Sequence, residues 1–261
     1  MRDQGVELAP GGFDDRASLR AAMQGAYGVF SMQPVSPPND GGAELRHGAH
    51  LVEAALATGV QVFVHSSVAR AGRQTEFAGW TQGRWPESYW NAKSGVNEFV
   101  RGSGLPHWVI IKPAYMLDNF LPPKAAFMYP GLEGCLLETA MGDDVRLDVL
   151  SARDVGRFAA AAYVNPDRFA GEEIDLAAAS VTMPELAQLI AAATGQPVQA
   201  ACLPPDALIA KGYLPGVVDN QLWAATEGYR VDLDRAAAFG LALESPAAWA
   251  NRNRERFRFA R

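Results

Sequence analysis

Apolar and polar positions follow two different periods along the first 113 residues. Apolar runs of strand length occur at residues 26–31, 60–66 and 107–112, whereas apolar side chains recur at spacings of three and four over residues 44–58 and 86–101. Consecutive apolar positions are typical of strands that are covered on both faces. Strands that alternate with helices of this length predict βαβ units, a parallel sheet and therefore an α/β fold.

A shorter run near the amino terminus predicts one more strand. Residues 6–9 alternate between apolar and polar side chains, and the glycines and proline at 10–12 close the run. A helix should follow this turn, because Asp14 or Asp15 can cap its first turn and Gly25 can end it.

The pattern loosens after residue 113, which divides the chain into two predicted parts. Prolines and short apolar runs come first, and then predicted helices at 155–163 and 183–194 restore the spacing of three and four. The sequence therefore predicts a sheet domain over 1–113 and a smaller substrate-binding region over 114–261 that packs partly on the sheet.

Composition narrows the classes of function. Of the 261 residues, 49% are hydrophobic and 20% charged, as in folded domains, and the formal net charge of −6 supplies no basic field for nucleic acid. Two cysteines and four histidines lack metal-ligand spacing, which predicts a reduced cytoplasmic setting and no structural metal. No apolar run reaches the roughly eighteen residues of a membrane span, and the amino terminus lacks the pattern of a secretion signal.

Two residues of the predicted helix at 86–101 carry the strongest chemical signal. Tyr89 and Lys93 stand four positions apart, so their side chains share one face of the helix. A phenol with an ordinary pKa near 10 transfers protons poorly at neutral pH, and a neighbouring ammonium favours its phenolate. The pair is a candidate for proton transfer. The alternative is a tyrosine that packs beside a surface lysine.

Four short stretches in a fixed order also carry a resemblance to a known family. They are GGFDD at 11–15, YGVFS at 27–31, HSSVA at 65–69 and the run at 93–106. Together they resemble the NmrA-like branch of the short-chain dehydrogenase/reductase superfamily. The resemblance implies a Rossmann-like parallel sheet with a small carboxyl-terminal domain, and NADP or NAD as cofactor. Members of the family are either reductases of quinones, carbonyls or phenylpropanoid-like compounds, or cofactor sensors without turnover.

The resemblance also implies roles for individual residues. In the reductases of the family the lysine binds the nicotinamide ribose, and a serine at the end of the preceding strand holds the substrate oxygen. The catalytic set implied here is Tyr89 as proton donor, Lys93 to bind ribose and lower the phenol's pKa, and Ser66 or Ser67 to orient the substrate. The implied cofactor contacts are Gln33, Pro34, Ser66, Lys93 and Pro113.

Two departures from the family pattern concern the cofactor. Such folds open with a strand, a glycine-rich G-x-x-G-x-x-G turn and a helix that approaches the pyrophosphate, and this sequence has no such run. The strand predicted at 6–9 resembles the third strand of the family fold, so about forty residues would be missing and the sheet would be amino-terminally incomplete. Gly11 and Gly12 replace the usual Gly-Asp pair. We therefore expect impaired binding of NADP or NAD. Three explanations of the missing segment stay open: Met1 is a misassigned start, the chain is a fragment, or a partner chain supplies the strands.

Three functions stay open at this point. The first is an NAD(P)H-dependent reductase of a small carbonyl, quinone or similar apolar substrate, which the aromatic residues at 77–90 and 115–129 would suit. The second is a non-catalytic NAD(P)-binding redox-sensing regulator with a protein partner, and the third is a fragment without cofactor. A homodimer stays open, whereas neither nucleic acid nor a membrane is expected as a partner.

Overall fold

A computed structural model describes residues 5–37 and 39–260 of the chain, so Met1 and Pro38 lie outside the described residues. The helices are α1 (Arg16–Met23), α2 (Ala43–Ala57), α3 (Glu87–Arg101), α4 (Ala125–Met128), α5 (Ala152–Val164), α6 (Pro166–Phe169), α7 (Met183–Thr194), α8 (Pro205–Ala210), α9 (Pro215–Thr226) and α10 (Pro246–Arg252). The strands are β1 (Gly28–Ser31), β2 (Val62–Ser66), β3 (His107–Pro113), β4 (Tyr115–Met116), β5 (Leu136–Thr139), β6 (Leu147–Leu150), β7 (Glu172–Leu176), β8 (Ala179–Val181) and β9 (Gln199–Cys202).

A four-stranded sheet in the order β1-β2-β3-β7 confirms the predicted α/β class. β1 pairs in parallel with β2, and β2 pairs in parallel with β3. β2 is buried along its whole length and β3 over its last five residues, as their apolar runs predicted. In β1 only Ser31 is buried and Phe30 is exposed, so the expectation of a strand covered on both faces is wrong there. In this register Ser31 of β1 stands beside His65 of β2, which places both side chains on one face near the carboxyl ends of the strands.

Helices α1, α2 and α3 cover one face of this sheet through a shared apolar core. Asp15, rather than Asp14, caps α1, because its carboxylate accepts the backbone N–H groups of Ala17 and Ser18 at 3.0 and 3.1 Å. The buried residues of the core include Met23, Leu51, Val52, Ala55, Phe63, Val96, Val100 and Ile110.

Two glycines let α2 and α3 approach each other closely. A Cβ atom on Gly48 would lie 2.6 Å from the Val96 side chain, and one on Gly95 would lie 2.6 Å from the Leu45 side chain. Any larger residue at either position would push the helices apart. This reciprocal contact brings the first turn of α2 beside the middle of α3.

The strand predicted at residues 6–9 is wrong, because this segment has no regular structure. Val6 and Leu8 are 45% and 49% exposed, and no described strand pairs with the outer edge of β1. A strand needs a hydrogen-bonded neighbour to hold its backbone. The alternating pattern alone could not supply that neighbour.

The chain divides into two compact units, each built from separate segments. The first comprises Met1–Gln74, Pro86–Lys112 and Phe158–Ile174, and the second comprises Thr75–Trp85, Pro113–Arg157 and Asp175–Arg261. Segments from both sides of residue 113 thus contribute to each unit.

The second unit contains two small sheets, in the orders β4-β6-β8 and β5-β9. Its helix α7 coincides with a predicted helix and begins with a capping box formed by Thr182 and Glu185. Across the described ranges, no helix is both long enough and apolar enough to cross a membrane.

Candidate functional site

A cluster of buried polar side chains lies in the first unit where β1 and β2 end. Ser31 is the last residue of β1 and Ser66 the last of β2, and Gln33, His65 and Ser67 adjoin them. All five are at most 8% exposed. Ligands of open α/β sheets bind beyond the carboxyl ends of the strands, so this cluster is the candidate site.

A chain of hydrogen bonds fixes His65 within the cluster. Gln33 Nε2 donates to Ser31 Oγ at 2.8 Å, and Ser31 Oγ lies 3.3 Å from His65 Nδ1. Ser31 Oγ therefore has both Gln33 and His65 as side-chain partners, and the imidazole stands between two strands at this contact. Burial and the nearby Lys93 ammonium lower the pKa of His65 to about 3. The ring is therefore neutral at physiological pH.

Helix α3 brings Tyr89 and Lys93 to the same site. Lys93 Nζ lies 5.6 Å from the centroid of the Tyr89 ring, as expected for residues one helical turn apart. The same Nζ forms an ion pair of 2.6 Å with Glu44 Oε1 in the first turn of α2. The Lys93 side chain is only 11% exposed and that of Glu44 only 2%, so this pair is shielded from solvent.

Glu44 alters the electrostatics that the sequence predicted. Burial raises the pKa of the Glu44 carboxyl, and the Lys93 ammonium opposes that change. Burial and the Glu44 carboxylate raise the pKa of Tyr89 as well. In this structure the pKa of the phenol is thus raised rather than lowered, chiefly by burial and secondly by the Glu44 carboxylate that pairs with Lys93.

Several buried polar atoms at the site have no hydrogen-bond partner among the described residues. They are Glu44 Oε2, His65 Nε2 and Ser67 Oγ, together with both amide atoms of Asn97 on α3. Buried polar groups are almost always paired, so unpaired ones near a strand end indicate a place where a ligand or water completes the bonding.

The predicted site residues differ in their positions. The first unit contains Tyr89, Lys93, Ser66, Ser67 and Gln33, all buried or partly buried. Pro34 is exposed in the loop that follows β1. Pro113 is buried at the end of β3, and it belongs to the second unit. In the part of the chain that the structure describes, no group of three or more His, Cys, Asp or Glu side chains could hold a metal ion.

Sequence reasoning missed Glu44 and the pairing of Ser31 with His65. A signal for Glu44 was present, since it stands in helical register with Gly48, Leu51 and Ala55 on the buried stripe of α2. An acidic residue on such a stripe needs a buried partner.

The sequence was compared with protein families and with known proteins. A model of the NmrA-like family matches residues 1–236. The chain is 28% identical over 132 residues to the NmrA-like family domain-containing oxidoreductase ptmS of Penicillium ochrochloron, an alignment of 49% of this chain and 38% of that protein. It is 26% identical over 167 residues to the (4-alkanoyl-5-oxo-2,5-dihydrofuran-3-yl)methyl phosphate reductase of Streptomyces griseus, which covers 62% of this chain and 50% of that protein. The chain thus spans half or less of these relatives.

Two solved structures share the fold at low sequence identity. The triphenylmethane reductase of Citrobacter sp., complexed with NADP(H), superposes with a TM-score of 0.72 at 16% identity, covering 97% of this chain and 85% of that one. The negative transcriptional regulator NmrA, in complex with NAD, gives a TM-score of 0.70 at 18% identity, covering 97% of this chain and 81% of that one. The fold therefore occurs both in a reductase and in a regulator.

Proposed function

Because this chain belongs to the NmrA-like family, we propose that it is an NAD(P)H-dependent reductase of a small apolar carbonyl compound or quinone. The observation that carries the proposal is the buried polar cluster at the ends of β1 and β2, together with helix α3, on which Lys93 Nζ lies 5.6 Å from the centroid of the Tyr89 ring. Both relatives aligned by sequence are named as an oxidoreductase or a reductase.

The described residues fit the nicotinamide and ribose half of the cofactor. Glu44 Oε2, His65 Nε2 and Ser67 Oγ are buried polar atoms without partners, and ribose hydroxyls and a carboxamide are groups that pair with such atoms. When bound, a reduced nicotinamide supplies a hydride.

The diphosphate half does not fit the described residues equally well. The helix that directly follows β1, α2, begins after Gly42 with Glu44 in its first turn, and an acidic side chain there repels phosphate. The backbone N–H of Glu44 already donates to Ser36 Oγ at 2.9 Å. At this helix terminus a diphosphate would therefore meet a negative side chain and an N–H group that is already bonded, which disfavours its binding there.

Within the site, Tyr89 holds the proton. Burial and Glu44 raise the pKa of its phenol, so the hydroxyl stays protonated at neutral pH and can donate to an oxygen that acquires negative charge. The Ser67 hydroxyl, which has no partner in the described structure, orients that oxygen together with Ser66. Lys93 binds hydroxyl groups of the cofactor through its remaining N–H donors.

A redox-sensing regulator is the second candidate, and the Glu44–Lys93 pair favours it. In the catalytic arrangement expected from the sequence, Lys93 favours the phenolate, whereas here Glu44 holds the lysine and the pKa of Tyr89 is raised. Such a site suits the binding of a nucleotide rather than proton transfer, and the solved negative transcriptional regulator NmrA is in complex with NAD.

Steady-state reduction of a quinone and of an aromatic aldehyde, with NADPH and NADH, tests the proposal. Tyr89→Phe should lower turnover by about 10²-fold, the usual scale of a lost proton donor, while cofactor affinity stays unchanged. Tyr27→Phe is the matched control, because Tyr27 is 54% exposed and should retain wild-type turnover. Cofactor binding without reduction of either compound class would favour the regulator, and equal turnover in Tyr89→Phe would remove Tyr89 from the mechanism.

A further inference from the structure

Glu44 is an acidic residue in an unusually enclosed position. It is 1% exposed, and its two carboxylate oxygens have different surroundings. Oε1 pairs with Lys93 Nζ at 2.6 Å, whereas Oε2 is buried and has no hydrogen-bond partner among the described residues. An ionised carboxylate is an acceptor at both oxygens, so half of its capacity is unused.

The packing of α2 on α3 holds this carboxylate in place. Gly48 lies against Val96 and Gly95 lies against Leu45, which fixes the distance between the two helices close to Glu44 and Lys93. The close packing of the two helices therefore sets the positions of Glu44 and Lys93 relative to each other. An unpaired Oε2 in such a rigid setting is a prepared acceptor rather than a mobile surface group.

A carboxylate oxygen beside an ammonium group favours a ligand group that can both donate and accept hydrogen bonds. A hydroxyl can donate to the carboxylate while its oxygen accepts from the ammonium, and a pair of neighbouring hydroxyls can satisfy both groups at once. A phosphate can accept from Lys93 but is repelled by Glu44. The pair therefore favours an uncharged vicinal diol over an anion.

We propose that Glu44 Oε2 accepts a hydroxyl of the nicotinamide ribose, so that Glu44 completes a diol-binding pair with Lys93, the lysine that the family resemblance already assigns to that ribose. The inference rests on the proposed function, since it adds Glu44 to the cofactor-binding residues of that site. It also explains why a charged side chain is kept on the buried stripe of α2.

Calorimetry with two small probes tests the role of the diol. Reduced nicotinamide riboside carries the ribose without phosphate, and 1-propyl-1,4-dihydronicotinamide carries the same ring without ribose. The wild-type chain should bind the riboside at least about tenfold more tightly. In Glu44→Gln this preference should fall to about twofold or less, because a neutral amide replaces the charged acceptor.

Two further variants separate this role from a merely structural one. Glu53→Gln removes an exposed carboxylate of the same helix, paired with Arg16 at 3.2 Å, and should keep the wild-type preference. Glu44→Met removes both carboxylate oxygens and keeps an unbranched side chain of similar length, so it should lose the preference as Glu44→Gln does and supplies a second measurement if Glu44→Gln fails to fold. Circular dichroism and thermal unfolding establish that each variant tested is folded.

The outcomes distinguish the inference from the proposed function. If the wild-type chain binds both probes equally, or if folded Glu44→Gln keeps the preference for the riboside, the diol-binding role is overturned while the reductase proposal stands. If the wild-type chain binds neither probe at millimolar concentration, the proposed cofactor site is wrong, and this inference fails with it.

Discussion

Acidification should destabilise this protein through His65. The loss of stability should begin near pH 6.5, above the pH at which ordinary carboxylates titrate. The imidazole is 2% exposed and is held neutral by burial and by Lys93, with a pKa of about 3 in the folded chain. In the unfolded chain it returns to the ordinary value of 6.5. Below pH 6.5 the unfolded state therefore binds a proton that the folded state does not, and the free energy of unfolding falls as the pH is lowered.

The magnitude follows from the difference between the two pKa values. Each pH unit in this window changes the free energy of unfolding by about 1.4 kcal/mol, because one proton is taken up on unfolding. Between pH 6.5 and pH 4.5 the loss is thus about 2.3 kcal/mol, and it reaches about 4 kcal/mol at pH 3, where the folded ring itself begins to take up the proton. The total stability of a domain is only about 5–15 kcal/mol, so the effect is large enough to measure.

Urea unfolding at several pH values between 7 and 4 measures this dependence. His65→Asn keeps an amide near the position of Nδ1 for the bond with Ser31 but removes the titrating ring, so its stability should fall less steeply with acid. Phe63→Leu, a cavity-forming change on the same strand, should lower stability at every pH and keep the wild-type slope. Equal slopes in wild type and His65→Asn would refute the argument, since the acid sensitivity would then come from other groups.

Three further predictions concern packing, capping and the cofactor. Gly28→Ala should lower the free energy of unfolding, measured by urea titration, by about 1–3 kcal/mol, because the new Cβ would lie 2.5 Å from the Tyr163 ring. The double variant with Tyr163→Leu should regain part of the lost free energy of unfolding. Thr182→Ala should cost about 1 kcal/mol, since it removes the side chain that accepts the N–H of Glu185 at 3.2 Å, and an unchanged melting temperature would contradict this. This chain should bind NADPH no more than about tenfold more tightly than reduced nicotinamide mononucleotide, because the helix that directly follows β1 begins with the acidic Glu44, which repels a diphosphate. A hundredfold preference for NADPH in calorimetry would contradict this prediction.

Local patterns predicted three of the four strands of this sheet, because the apolar run of each lies within a few consecutive residues, whereas β7 was not predicted. The runs at 26–31, 60–66 and 107–112 became β1, β2 and β3 since apolar side chains must leave water wherever the chain allows. The run at 6–9 has the same kind of pattern and forms no strand. Whether this run forms a strand depends on a neighbouring strand with which it can form hydrogen bonds, and the tertiary structure decides whether such a strand is present.

The candidate site was predicted only in part for the same reason. The spacing of Tyr89 and Lys93 is local, so the helix brought the two side chains together as expected. The contacts that set their charges are not local, because Glu44 reaches Lys93 from another helix and Ser31 reaches His65 from another strand. Periodicity within a segment carries no information on such partners, and these partners decide the pKa values of the site.

The interleaving of the two compact units constrains how the chain can fold while the ribosome makes it. The sheet of the first unit begins at Gly28, yet its last strand, β7, is translated only after Pro113–Arg157 of the second unit. Until β7 emerges, the edge of β3 that it pairs with is open, and the nascent sheet presents unpaired backbone groups. Folding of the first unit is thus completed only after much of the second has been synthesised, and a chain released at residue 113 would lack the strand that closes its sheet.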